Sequence, residues 1–249
     1  MRILLLGGTG EARRLAARLA ARADLSTVLS FAGRTDIPAE QPVPVRIGGF
    51  GGVEGLRAYL SSERIDAVVD ATHPFAAGMS ANAFSACRAA RVPLARLVRP
   101  AWTPEPGDNW LRVAGFPEAV QALGPSPRRV FLTIGLGGLG AFARAPQHAY
   151  LIRSISEPEG ALPPDATILR DRPPYDVGAE TELMREARID ILVTKNSGGT
   201  ATAAKLTAAR HLGLPVVMIE RPVLPPVPEH ATGASMIDWI DARQAERGV

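Results

Sequence analysis

This chain of 249 residues is poor in several things. It has a single cysteine, Cys87, so no internal disulfide can form and nothing marks it for an oxidising compartment. Its only lysines are Lys195 and Lys205, so nearly all of its positive charge is guanidinium. That favours anionic ligands, because arginine grips phosphate and carboxylate in a planar fork, although a high-GC genome gives the same bias. Aromatics make up only 5%, and no cluster interleaves them with basic residues, which argues against nucleic acid. No apolar run approaches the roughly 18 residues of a membrane span. The N-terminus also lacks the apolar segment and small-residue cleavage site of a signal peptide. The expectation is a cytoplasmic protein with neither a nucleic-acid nor a membrane partner. The four histidines, His73, His148, His211 and His230, are scattered without paired ligand spacing, so no metal site is expected.

What is present is ordinary for a globular protein: 46% hydrophobic and 21% charged residues, with a formal net charge of +3. Short apolar runs alternate with helical patterns. Strands are expected at Arg2–Leu6, Leu25–Phe31, Val43–Ile47, Asp66–Ala71, Pro93–Val98 and Trp110–Val113. Helices are expected at Glu11–Ala21, Val53–Leu60 and Ala76–Arg91. After Gly124–Pro127, rich in Gly and Pro, the pattern restarts. Strands follow at Arg129–Ile134, Ala149–Arg153, Thr167–Leu169, Asp190–Thr194 and Pro215–Ile219, with helices at Glu180–Ala187, Ala201–Leu212 and Ser235–Glu246. Continuous apolar strands alternating with helices imply parallel sheets covered on both faces. The fold class is therefore α/β: two Rossmann-like, doubly wound parallel-sheet domains facing across a cleft, residues 1–124 for the cofactor and 125–249 contributing to cofactor and substrate.

Four segments carry chemistry. In the first, a buried strand runs into Gly7-Gly8-Thr9-Gly10-Glu11-Ala12 and a helix. Glycines let the backbone approach a pyrophosphate, and free N–H groups at the helix start stabilise it. The spacing reads G-G-T-G-x-A rather than G-x-G-x-x-G. In the second, strand two ends in Ser30-Phe31-Ala32-Gly33-Arg34, without the acid that holds the ribose of NAD. Ser30 and Arg34 suit the extra phosphate of NADP, while Asp36 pulls the other way. The third is Asp70-Ala71-Thr72-His73-Pro74-Phe75, at the C-terminal end of a strand, where such sheets bind ligands. There Thr72 and His73 are candidate cofactor contacts, and His73 is also a candidate proton donor. The fourth is Thr194-Lys195-Asn196-Ser197-Gly198-Gly199-Thr200, a glycine and hydroxyl loop with a lysine, read as anion-binding with Ser197 on the cofactor. Thr133 and Gly135 are weaker candidates for lining the cofactor. Tyr175 and Asp176 are weaker candidates for supplying the proton.

Together, and in this order, the first, third and fourth segments resemble the precorrin-6A reductase family of cobalamin biosynthesis, which includes cobalt-precorrin-6A reductases. The resemblance implies NADPH-dependent reduction of one double bond of the precorrin-6A macrocycle to give precorrin-6B. It places Gly8, Thr9 and Gly10, with Glu11 beside them, on the cofactor, and His73, Lys195 and Ser197 near ligand. It also implies a polycarboxylate tetrapyrrole substrate, with Arg99, Arg153, Arg170 and Arg172 as candidate partners for its carboxylates. Transfer of intermediates to or from other corrin-pathway enzymes follows from the same resemblance. The proton is left among His73, Tyr175, Asp176, Lys195 and water. Competing readings are a non-catalytic NADP-binding sensor, another Rossmann-type reductase of a small anionic substrate, and a nucleotide-sugar or methyl-transfer enzyme. A methyltransferase would more often end strand two on an acid.

Overall fold

The computed structural model describes residues 1–32, 40–158 and 160–248. The chain forms two compact units: one comprises 1–100 and 222–249, the other 101–221.

The first unit holds strands β1 (Arg2–Leu6), β2 (Ser26–Phe31), β3 (Val45–Ile47), β4 (Ala67–Asp70) and β5 (Leu94–Leu97), and helices α1 (Gly10–Ala20), α2 (Gly52–Ser62) and α3 (Ala77–Ala90). In the second are β6 (Asn109–Val113), α4 (Phe116–Ala122), β7 (Arg129–Thr133), α5 (Leu139–Phe142), β8 (Ala149–Ser154) and β9 (Ala166–Arg170). It continues with α6 (Val177–Glu186), β10 (Ile191–Lys195), α7 (Ala204–His211) and β11 (Pro215–Ile219). The chain then returns to the first unit as β12 (Glu229–His230) and α8 (Gly233–Glu246).

Each unit contains a six-stranded parallel sheet. The orders are β12-β5-β4-β1-β2-β3 and β6-β11-β10-β7-β8-β9. Both follow the doubly wound pattern, in which the chain winds outward from a central pair in opposite directions. The sixth position is filled unexpectedly in each. Trp110–Val113, expected in the first domain, is β6 and pairs along β11 in the second sheet. The C-terminal β12, with no apolar signal to announce it, pairs with β5 in the first. The division therefore falls at 100/101 and 221/222 rather than 124/125: strand pairing, not the glycine-proline stretch, decides where each segment belongs. Helix α4 and the one-turn α5 were also absent from the expected pattern.

Alternation along β1 shows why its sequence is apolar throughout. Ile3 and Leu5 pack on one face with Leu15 and Leu19 of α1 and Met236 and Ile240 of α8. Leu4 and Leu6 pack on the other with Leu56 and Leu60 of α2 and Ala83 and Cys87 of α3. Burial pushes the Cys87 thiol up to about 12, with the charge of Asp70 adding to the effect, so it is an inert core residue. In the second unit Phe131, Leu192 and Met218 pack under Met184 of α6 and Leu206 of α7. Among the described residues no helix is long and apolar enough to cross a membrane, and no cluster of three or more His, Cys, Asp or Glu is arranged to hold a metal ion.

Candidate functional site

In the first sheet the winding direction reverses between β1 and β4, whose last residues Leu6 and Asp70 are register partners. Ligands of such sheets bind in the crevice beyond this reversal. The segments leaving the two strands are the first and third motifs, and a hydrogen bond joins them: Thr9 Oγ1 donates to the Ala71 carbonyl at 2.8 Å. The same oxygen accepts from Ala12 N–H at 3.1 Å as the N-cap of α1. Thr9 therefore shapes the turn with its hydroxyl, and what the turn offers a ligand is backbone.

Each glycine of this turn has its own reason. Gly7 donates its N–H to the Ser30 carbonyl at 2.8 Å, and a Cβ there would lie 2.6 Å from Leu29 Cδ1. Gly8 has φ +118, outside the range of side-chain-bearing residues, and a Cβ there would meet nothing within 4 Å. The turn is thus packed tightly on β2 on one side and open at Gly8, ahead of α1's first N–H groups, which have no intrahelical acceptor. That open backbone cradle fits a cofactor diphosphate. Ser30 is buried within β2 and serves the turn through its carbonyl. Arg34 and Asp36 lie outside the described residues.

Glu11 stands in α1's first turn between two guanidinium groups, Arg99 at 2.9 Å and Arg14 at 3.1 Å. Burial works to raise its pKa, but a backbone hydrogen bond and the Arg99 charge outweigh that and lower it. In the neighbouring loop, Thr72 gives both its N–H (3.1 Å) and its hydroxyl (2.7 Å) to Asp70 Oδ1. His73 Nδ1 accepts from Phe75 N–H at 3.2 Å, so this nitrogen fixes the loop ahead of α3.

In the second sheet the reversal lies between β7 and β10, where Thr133 and Thr194 are register partners. The fourth motif and the weaker Thr133–Gly135 segment therefore meet here. Thr133 Oγ1 donates to the Val193 carbonyl at 3.3 Å, and Gly135 has φ +69 with open space at its Cβ position. Lys195 ends β10 half-buried, and burial lowers its pKa to about 8.

The loop beyond Lys195 differs from expectation. Helix α7 begins at Ala204 rather than Ala201, and no side chain caps it, because 199–203 form turns first. The anchor is instead Asn196, fully buried and absent from the candidate residues. Its amide accepts from Trp102 N–H (2.8 Å) and donates to the Trp102 carbonyl (3.2 Å), while Trp102 Nε1 donates to the Gly199 carbonyl (2.9 Å). Trp102 sits in a Pro-rich stretch that reads as a loop, so its pairing 94 residues away left no sequence signal. Arg221 holds the same loop, donating to the Asn196 and Ser197 carbonyls at 2.9 and 3.2 Å.

Tyr175 is docked on this region through its N–H to the Ala201 carbonyl at 3.2 Å. The guanidinium of Arg153 lies 4.1 Å from its ring centroid, and burial raises its phenol pKa. Asp176 is the N-cap of α6, accepting from Ala179 N–H at 3.0 Å. Among the arginines expected to meet carboxylates, Arg153 is buried against Glu180 at 2.5 Å and Arg99 pairs with Glu11, whereas Arg170 and Arg172 are exposed.

Known proteins resemble this chain over nearly its whole length. Residues 2–241 match the profile of the family described as precorrin-6x reductase CbiJ/CobK. The chain is 50% identical to the precorrin-6A reductase of Rhodobacter capsulatus, covering 100% of this chain and 99% of that one. It is also 50% identical to the Rhodococcus erythropolis enzyme of the same name, over 96% of this chain and 97% of that one. A cobalt-precorrin-6A reductase of Methanothermobacter thermautotrophicus is 29% identical over 89% of this chain and 77% of its own length. The solved structure of a CobK precorrin-6A reductase superposes with a TM-score of 0.91 at 49% identity, covering 97% and 96% of the two chains. With its two parallel sheets, its glycine turn on β1 and this likeness over its full length, the chain belongs to the precorrin-6x reductase CbiJ/CobK family.

Proposed function

We propose that this protein reduces one double bond of the precorrin-6A macrocycle with NADPH, giving precorrin-6B in cobalamin biosynthesis. The observation that carries the reading is the Gly7–Gly10 turn, with its open backbone at Gly8 ahead of α1 and beside the Thr72–Phe75 loop. The 50% identity to precorrin-6A reductases, against 29% to a cobalt-precorrin-6A reductase, favours the metal-free ring.

The first unit binds the cofactor. Backbone N–H groups of Gly8 and Gly10 would hold the diphosphate, Thr9 keeps the turn in shape with Glu11 beside it, and Thr72 and His73 would lie toward the nicotinamide. Arg34 is assigned to the NADP phosphate end from the sequence, while Ser30 supports the turn through its carbonyl. Bound NADPH supplies a hydride to one carbon of the double bond. The other carbon needs a proton, which we assign to Lys195 from its own chemistry. Its pKa of about 8 keeps it largely protonated at neutral pH yet far more acidic than an ordinary lysine. Asp176 is engaged as a helix cap, the Tyr175 phenol is raised by burial, and His73 Nδ1 is engaged in its own loop. Thr133, Gly135 and Ser197 border the same strand ends. The exposed Arg170 and Arg172 are assigned to substrate carboxylates from the sequence.

The test is a titration of purified protein with NADPH and NADH, followed by an assay with precorrin-6A. NADPH is expected to bind more tightly and to be oxidised only when the tetrapyrrole is present. Arg34→Ala should erase the preference, a loss of about tenfold for one charge-assisted phosphate contact. No oxidation of NADPH with precorrin-6A present sinks the reading, and an unchanged preference in Arg34→Ala sinks that residue's role.

A further inference from the structure

Asp70 is 1% exposed at the end of β4, and the cofactor chemistry proposed above does not use it. Its surroundings are unusual in one respect: every polar group that meets it is a donor. Oδ1 takes the N–H and hydroxyl of Thr72 at 3.1 and 2.7 Å, and Oδ2 takes the hydroxyl of Ser80 from α3 at 2.6 Å. Arg96 of the next strand brings its Nε to 3.6 Å from Oδ2 and neutralises the charge. The guanidinium is itself only 7% exposed and is held by Glu229 of β12 at 2.6 Å. A buried carboxylate in such a shell ties together the groups around it, because each donor finds its acceptor there.

We infer that Asp70 is a positioning residue for the reduction: its carboxylate, set between Arg96 and Ser80, holds Thr72 by two hydrogen bonds so that the Thr72–Phe75 loop leaves β4 in the one conformation that places the nicotinamide. The inference rests on the cofactor reading. It follows that the diphosphate cradle at Gly8 works without Asp70, whereas the geometry of hydride transfer does not. Small misplacements at a reacting centre cost far more in rate than in binding.

The choice of acceptor is strict. An asparagine at this position brings an NH2 donor into a shell of donors. Facing one way it meets Thr72 N–H, and facing the other it meets Arg96 Nε, neither of which can accept. Asp70→Asn is therefore expected to lower kcat by about tenfold or more while changing the NADPH dissociation constant, read by cofactor fluorescence, less than about threefold. Thr72→Val, which removes one of the two loop bonds, should move the same way, and Thr72→Ser should restore kcat.

If Asp70→Asn does not fold, Thr72→Val with its serine rescue decides. The assignment is overturned if kcat stays within about twofold in these variants or if binding falls in step with kcat. Absence of NADPH binding by the unaltered protein overturns the cofactor reading and this assignment together. Normal binding and turnover by every variant overturns this assignment alone.

Discussion

Lys195 shows how one residue type can be retuned by placement. It is one of two lysines in the chain, and burial at the end of β10 lowers its pKa to about 8. A cation whose pKa is depressed in the fold is destabilising in its charged form, so its effect on stability grows as pH falls from the ordinary lysine range through 8. Its role in the reaction has the opposite sign. If Lys195 holds the proton for the ring, turnover falls as pH rises through about 8. The measurement is kcat against pH between 6 and about 10, spanning that value. Lys195→Arg, whose guanidinium does not give up its proton, should lower kcat and leave no descending limb near 8; full turnover in this variant would remove Lys195 as the donor. A limb near 8 that survives in the variant belongs to another group. The candidates set aside beside it have structural surroundings: a cap at Asp176, a loop acceptor at His73 and a ring against Arg153 at Tyr175. Sequence alone cannot separate such duties from catalysis, because the same hydroxyls, carboxylates and imidazoles serve both.

At the level of elements, β1 and α1 with the turn between them form the part that motif and structure agree on. Thr9 supports it twice, as the cap of α1 and as the link to Ala71 after β4. Thr9→Val keeps the shape of the side chain and removes both bonds. It is expected to cost about 1–2 kcal/mol in chemical denaturation, with Thr9→Ser recovering most of it. A cost near zero would mean that water replaces both bonds. Elsewhere polar pairs join elements that the sequence keeps far apart. Arg153 of β8 and Glu180 of α6 are both buried and 2.5 Å apart. Asn196 after β10 grips Trp102, which precedes β6. These pairings came from side chains that carry no periodicity, and so they were not legible in advance.

For the whole molecule, the strongest consequence lies in the C-terminal segment. Residues 222–249 belong to the first unit, where β12 extends the sheet beside β5 and α8 covers its face with Met236 and Ile240, both fully buried. Ile240→Ala in α8 should therefore cost about 2–5 kcal/mol, as core truncations do. Hydrogen exchange should locate the loss in β1, β2 and β5 rather than in β7 and β10. Faster exchange in the second sheet instead would contradict the division of the chain described here.

The sequence by itself determined the class of fold, most strand positions, the restart of the pattern and the glycine turn on β1. Those features are written locally: period-two burial on both faces makes a continuous apolar strand, and a positive φ demands glycine where it stands. Only the tertiary structure decided that Trp110–Val113 and Glu229–His230 complete the second and first sheets respectively. A short edge strand is chosen by the backbone hydrogen bonds its neighbour leaves open, and those depend on chain segments roughly a hundred residues away. The same holds for Asp70, whose meaning comes from Arg96, Ser80 and Glu229 gathering around it, an arrangement that exists only once the sheet has formed.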